Sequence, residues 1–292
     1  MIEDLKGICD MHVHSAPDVI PRTYDDFQLA DAAVKVGARA IMLKSHHGST
    51  VTRAYMCNRY IAEKYGDTTD LTMYGGVVLN RDVGGLNPKA VETAIQMGGR
   101  EVWLPTIDAE NDRKKEGKPG GMTVLTDSGE LKPEVLRIME MVAKAGIVLS
   151  TGHISPKEAL AVGKAAKEMG LTRLVVTHPE FWIVGYSLEE EKELMNEYGM
   201  VMERCYKQPL MDHSWKDNCE TNLEAIKVLG PEHTMIDTDS GQPVNPPWEK
   251  GFLHCVQYMA DHGISHEAIH HMTRDIPRWL LGIDKELTPL KA

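Results

Sequence analysis

Two histidines one residue apart, His12 and His14 in "GICDMHVHSAPD", close a short apolar run. In an extended strand alternate side chains share a face, so Asp10, His12 and His14 line up together and Cys9, Met11 and Val13 take the other side. Two imidazoles at that spacing can hold one metal ion. Other apolar runs also end in groups that bind metals or move protons. "AIMLKSHH" ends in Lys44, Ser45, His46 and His47, with Lys44 and His46 on one face. "GIVLSTGH" ends in His153, "RLVVTHPE" in His178, and "TMIDTDSG" in Asp237 and Asp239; "MVMERCY" carries Glu203. Packing does not require hydrophobic strands to finish in histidine and aspartate. Imidazole nitrogen with carboxylate oxygen is the donor set of catalytic zinc and its first-row neighbours.

The elements that would carry these residues follow one grammar. An amphipathic segment ends in Gly, and a short β-branched or apolar run follows. Examples are "DDFQLADAAVKVG" before "ARAIMLKS", "PEVLRIMEMVAKAG" before "IVLSTGH", and "PKEALAVGKAAKEMG" before "LTRLVVTH". Gly37, Gly66, Gly98, Gly146, Gly170, Gly199 and Gly230 stand where a helix takes a left-handed residue just past its end. "NPKA" and "SPKE" read as helix starts, with a capping side chain followed by proline. Helical periods alternating with nearly all-apolar runs imply a parallel sheet covered on both faces. The count is about eight strand–helix pairs, which predicts an α/β protein of the (β/α)8 TIM-barrel class. A doubly wound open sheet would be expected to show a Gly-rich phosphate loop after its first strand; here that strand ends in "HVHSAPD". The reading is a single domain over 1–292. Residues 107–131 form a polar, Gly-rich loop after strand 4 that could act as a lid, and 263–292 form terminal helices. His266, His270 and His271 fall in that terminal part and are read as non-catalytic.

Barrels of this kind place their chemistry at the C-terminal ends of the strands, which is where the polar residues fall. His-x-His after strand 1, His after strands 5 and 6, and Asp after strand 8 together resemble the amidohydrolase superfamily of metal-dependent hydrolases. The resemblance runs through the whole barrel in order. It implies that His12 and His14 bind metal, that His153 and His178 bind metal or orient substrate, and that Asp239 binds metal and shuttles the proton of the attacking water. On that basis the cofactor is a divalent transition metal, zinc in the first place with manganese, iron or nickel as alternatives, in one or two ions. One departure matters. Many two-metal members bridge their ions with a carboxylated Lys or a Glu from strand 4, but "REVWLPTID" offers neither at its end. Strand 2 supplies Lys44 and His46 instead. Either could be a further ligand, and Lys44 could equally grip a substrate carboxylate or phosphate.

The implied reaction is hydrolysis of a C–N or C–O bond, in an amide, cyclic imide or lactone, with Asp239 as base then acid and His178 holding the carbonyl oxygen. The same ligands would serve a decarboxylase or hydratase of the superfamily, or a barrel phosphoesterase. A metal-binding scaffold is the non-enzymatic alternative. Arg22, Arg53, Arg204 and Lys207 read near the same rim and would favour an anionic small-molecule substrate; Phe181, Trp182 and Tyr186 could wall a pocket beside His178.

The 292 residues carry a formal charge of −11 with 42% hydrophobic and 26% charged residues. That composition is ordinary for a globular protein, and the charge argues against nucleic acid or an anionic membrane as the main partner. No apolar run approaches a spanning helix. The mixed, acidic "MIEDLKGICD" predicts no secretion signal. Five scattered cysteines without C-x-x-C spacing suit a reducing cytoplasm. A homo-oligomer is compatible with the sequence.

Overall fold

A computed structural model describes residues 5–212 and 214–290. Eight parallel strands follow one another in hydrogen-bonded order: β1 (Cys9–His14), β2 (Ala40–Lys44), β3 (Thr72–Val78), β4 (Glu101–Trp103), β5 (Val148–Ser150), β6 (Leu174–Val176), β7 (Val201–Cys205) and β10 (Thr234–Asp237). With helices between them they form a nearly closed (β/α)8 barrel, the expected class. The strands are short and almost wholly buried, as expected when both faces of a parallel sheet are covered.

The chain divides into two compact units. The first holds the residues up to Ser45, Thr50–Gly75 and the chain from Arg204 onward. Its parallel pairs include Cys9 with Ala40 and Ala40 with Thr72. His14 N donates to Ser240 O and Tyr206 N to Asp237 O, so β10 is bonded to the chain of β1 on one side and of β7 on the other. Helices α1 (Asp26–Lys35), α2 (Val51–Tyr65), α8 (Cys219–Leu229) and α9 (Trp248–Asp261) belong to this unit. Leu29, Ile41, Leu43, Ile226, Ile236 and Phe252 share its apolar core.

The second unit is His46–Ser49 and Gly76–Glu203. It runs from the end of β3 to the start of β7 with Gly76 beside Glu101, Glu101 beside Val148, Leu149 beside Leu174 and Val175 beside Val201. Its helices are α3 (Pro88–Gln96), α4 (Glu110–Lys115), α5 (Pro133–Ala145), α6 (Pro156–Met169) and α7 (Leu188–Tyr198). The expected helix signals are used here. Ser155 and Glu158 close a capping box ahead of Pro156, satisfying amides the helix cannot. Gly146, Gly170 and Gly199 end α5, α6 and α7 at φ of 63°, 72° and 65°, a region where a side chain would be strained.

Three local features differ from the sequence reading. A hairpin of β8 (Lys207–Pro209) and β9 (Trp215–Asp217) follows β7; strands this short carry no readable period. Segment 107–131 contains a true helix, α4, rather than only loop. Beyond α9 the helices are α10 (His266–His270), a π-helical turn over His271–Asp275 and α11 (Ile276–Leu280); residues 281–290 are not helical.

Candidate metal centre

In the first unit β1 delivers its three aligned polar residues, but to different ends. Asp10 is buried and accepts from Trp248 Nε1 at 2.7 Å, Thr238 Oγ1 at 2.7 Å and His12 N at 3.0 Å. Burial pushes its carboxyl up against these bonds. It ties β1 to the β10 end and to α9. Asp237, whose Oδ1 accepts from Met11 N at 2.7 Å, does similar work.

His12 and His14 converge on one atom: each Nε2 is 3.2 Å from Asp239 Oδ1. The three residues are buried, and their donor atoms lie within 4.8 Å of one another. His14 Nδ1 is 3.3 Å from Arg22 Nη2, and Arg22 is anchored by Asp18 at 2.7 Å. Burial, reinforced by Arg22, pushes the His14 pKa down to about 3, so this imidazole is neutral at neutral pH. Burial alone would raise Asp239, but charge on His12 and hydrogen bonds from both imidazoles hold it well below the usual carboxylate range. An ionised carboxylate facing two imidazoles is the donor chemistry a divalent cation takes.

Backbone strain marks the same residues. Among the described residues only two non-glycines have positive φ, His178 at 27° and Asp239 at 49°. Strain of this kind persists where the surroundings impose it, commonly at working sites. Beside Asp239, Gly241 sits at φ 137°, where a Cβ would strike the His14 carbonyl.

The second unit gathers His46, His153 and His178. Ring centroids are 5.8 Å apart for His46–His153 and 5.0 Å for His153–His178. His178 stacks on Phe181 at 4.1 Å and 9°, and its backbone N donates to Glu203 Oε2 at 3.3 Å. His46 Nδ1 pairs with Thr106 Oγ1 at 2.8 Å, and Asn80 holds both the His46 carbonyl and Thr106. His153 Nδ1 is 2.5 Å from Asp112 Oδ2, while His153 Nε2 is buried with no hydrogen-bond partner. An imidazole oriented by a carboxylate, with its other nitrogen unspent, fits a metal ligand.

The remaining expected residues are placed as follows. Lys44 is fully buried, with Nζ 2.8 Å from His12 Nε2. The Arg53 guanidinium is bound by both Asp26 oxygens and the Ser15 carbonyl. Arg204 is fully buried on β7. Phe181 and Tyr186 are buried, and Tyr186 OH donates to the Ile154 carbonyl. The sequence reading did not single out Asp112, Thr106, Asn80 or Asp18: Asn80 and Thr106 follow β3 and β4 but are neither ionisable nor usual metal donors, and Asp18 and Asp112 lie beyond the strand ends.

The eight-stranded α/β fold is one that solved amidohydrolases share. An amidohydrolase from Pseudomonas aeruginosa shares the fold at TM-score 0.65 and 13% identity, covering 94% of this chain and 95% of that one. The probable dipeptidase PvdM from Pseudomonas aeruginosa gives 0.63 at 12%, with 95% of each chain covered. Dihydroorotase (PyrC) from Campylobacter jejuni gives 0.58 at 12%, covering 96% of this chain and 84% of that one. No curated protein matches. A family model described as a family of unknown function (DUF6282) matches residues 7–203, and the chain belongs to that family. No helix among the described residues is long and apolar enough to cross a membrane.

Proposed function

We propose that this protein is a metal-dependent hydrolase that cleaves a C–N or C–O bond of a small, anionic substrate. The observation that carries the reading is the pair of imidazole Nε2 atoms set 3.2 Å from one buried carboxylate oxygen, Asp239 Oδ1. The likeness of fold to amidohydrolases, a probable dipeptidase and dihydroorotase supports it. His12, His14 and Asp239 would hold a divalent cation in the first unit; His153, and His178 where it does not instead orient substrate, would be the donors of the second. When bound, such an ion supplies Lewis acidity, polarising a carbonyl and bringing the pKa of a water from 15.7 toward about 7.

The chain's own residues do the rest. Both imidazoles address Asp239 Oδ1, which leaves Oδ2 to take a proton from the nucleophile and return it to the leaving group. His178, its ring fixed by the Phe181 stack, donates to the oxygen on which charge develops. The test is a screen of zinc- and manganese-loaded protein against lactones, cyclic imides, amides and phosphomonoesters. Turnover of a member of the first three classes that a chelator abolishes is the expected result. Activity confined to phosphomonoesters would replace the reading with a phosphoesterase, and a chain that binds no cation would refute it.

Lys44 bears on the same centre. Lys44 Nζ lies 2.8 Å from His12 Nε2, the atom a cation would take, so amine and cation compete for one position. Lys44→Met keeps the apolar stem and removes the competitor. It is expected to tighten zinc binding by about tenfold, roughly the worth of the one competing hydrogen bond removed. Competition against a chromophoric chelator measures it. Weaker binding in the variant would make the amine a ligand instead.

A further inference from the structure

We infer that Asp112 is a positioning residue that presents His153 Nε2, as a bare lone pair, to a divalent cation. The inference rests on the hydrolase reading only for the cation that Nε2 would meet. Asp112 lies on α4, inside the polar segment after β4, and is itself 1% exposed. A carboxylate only accepts, so in the 2.5 Å contact the hydrogen must sit on His153 Nδ1. The other nitrogen is buried and unpartnered. A hydrogen there would have no acceptor, so the ring that fits is the Nδ1–H tautomer with Nε2 open.

The helix carrying Asp112 is braced for the task. Asn111 Nδ2 donates to the carbonyls of His153 at 3.0 Å and Ile183 at 3.1 Å. Lys115 Nζ donates to the carbonyls of Trp182 and Val184, each at 2.9 Å. The loop bearing His153 is pressed against the chain after β4 from its other side: His153 N donates to Pro105 O at 2.9 Å, and Gly152 leaves no room for a Cβ beside the Leu104 and Pro105 carbonyls. The first part of 107–131 therefore serves as a brace whose buried acid selects a tautomer.

Two readouts test this on the full-length chain. Imidazole ¹⁵N shifts of metal-free protein, with the His153 signals assigned by their loss in His153→Gln, are expected to show Nδ1 protonated in the wild type. In Asp112→Ala the hydrogen is expected to move largely to Nε2, and zinc affinity by chelator competition to fall about 10–100-fold. Asp112→Asn, which keeps an acceptor oxygen, is expected to lose less than Asp112→Ala. Lys115→Met, which loosens the same helix but spares the carboxylate, is expected to leave tautomer and affinity unchanged. Asp112→Asn also serves if the alanine variant does not fold. An unchanged His153 tautomer in Asp112→Ala overturns the inference, as does wild-type zinc affinity in Asp112→Asn where the alanine variant does not fold, and so does an equal loss of affinity in Lys115→Met. The tautomer is read without metal or substrate, so a chain that proves not to be a hydrolase would still show whether Asp112 sets the His153 ring.

Discussion

Replacing His12 and His14 together with alanine is expected to strip the first unit of its divalent cation while leaving the helical signal nearly intact. Both imidazoles point their Nε2 atoms at the same carboxylate oxygen, so the double variant leaves Asp239 as the lone member of the cluster. The loss should exceed the roughly 10–100-fold that follows from removing a group that merely supports a ligand. Folding should survive for reasons specific to β1. The strand is held by buried Cys9, Met11 and Val13 and by the Asp10 carboxylate on Trp248 and Thr238, none of which the substitutions touch. The measurements are elemental analysis after growth with zinc or manganese, and far-ultraviolet circular dichroism. Wild-type metal content in the variant would mean that β1 does not supply the ligands.

The sequence made the ladder of strands legible because each strand is bracketed by physics that acts locally. A helix needs a residue past its end that tolerates left-handed backbone, so Gly146, Gly170 and Gly199 show where α5, α6 and α7 stop. A strand covered on both faces must be apolar along its length, so a histidine at its tip stands out. What alternation could not reveal is how each aligned side chain is spent. Asp10 shares a face with His12 and His14, yet Trp248 and Thr238 consume its oxygens. Arg53 reads as a rim cation, yet Asp26 of α1 claims it. Such partners are set by tertiary register. Asp112 was hidden for another reason: it lies in a polar segment beyond β4, where carboxylates are common and no period distinguishes the one that turns inward. The left-handed backbone at His178 and Asp239 has no sequence signature either, since neither residue type demands it.

Asp239→Asn is expected to lower kcat by about 10²–10⁴-fold, the usual worth of a positioned general base, with the cation largely retained. The substitution is a clean probe because asparagine keeps an oxygen where Oδ1 faces His12 and His14, and because asparagine, like aspartate, tolerates the φ of 49° that this position imposes. Alanine there would confound lost chemistry with backbone strain. The proton affinity of Asp239 is what the chemistry would use. Burial is the largest influence and raises it; charge on His12 and hydrogen bonds from the two imidazoles outweigh burial and lower it. A bound divalent cation would add its own positive charge beside the carboxylate and keep it ionised, able to accept a proton; asparagine cannot take up a proton in its place. The comparison to make is single-turnover rate against metal content in the two proteins, on whichever substrate the screen identifies. A lower rate at equal metal occupancy assigns the proton to Asp239. If Asp239→Asn turns over at near wild-type speed, the hydrolytic mechanism is wrong, whatever ion the barrel holds.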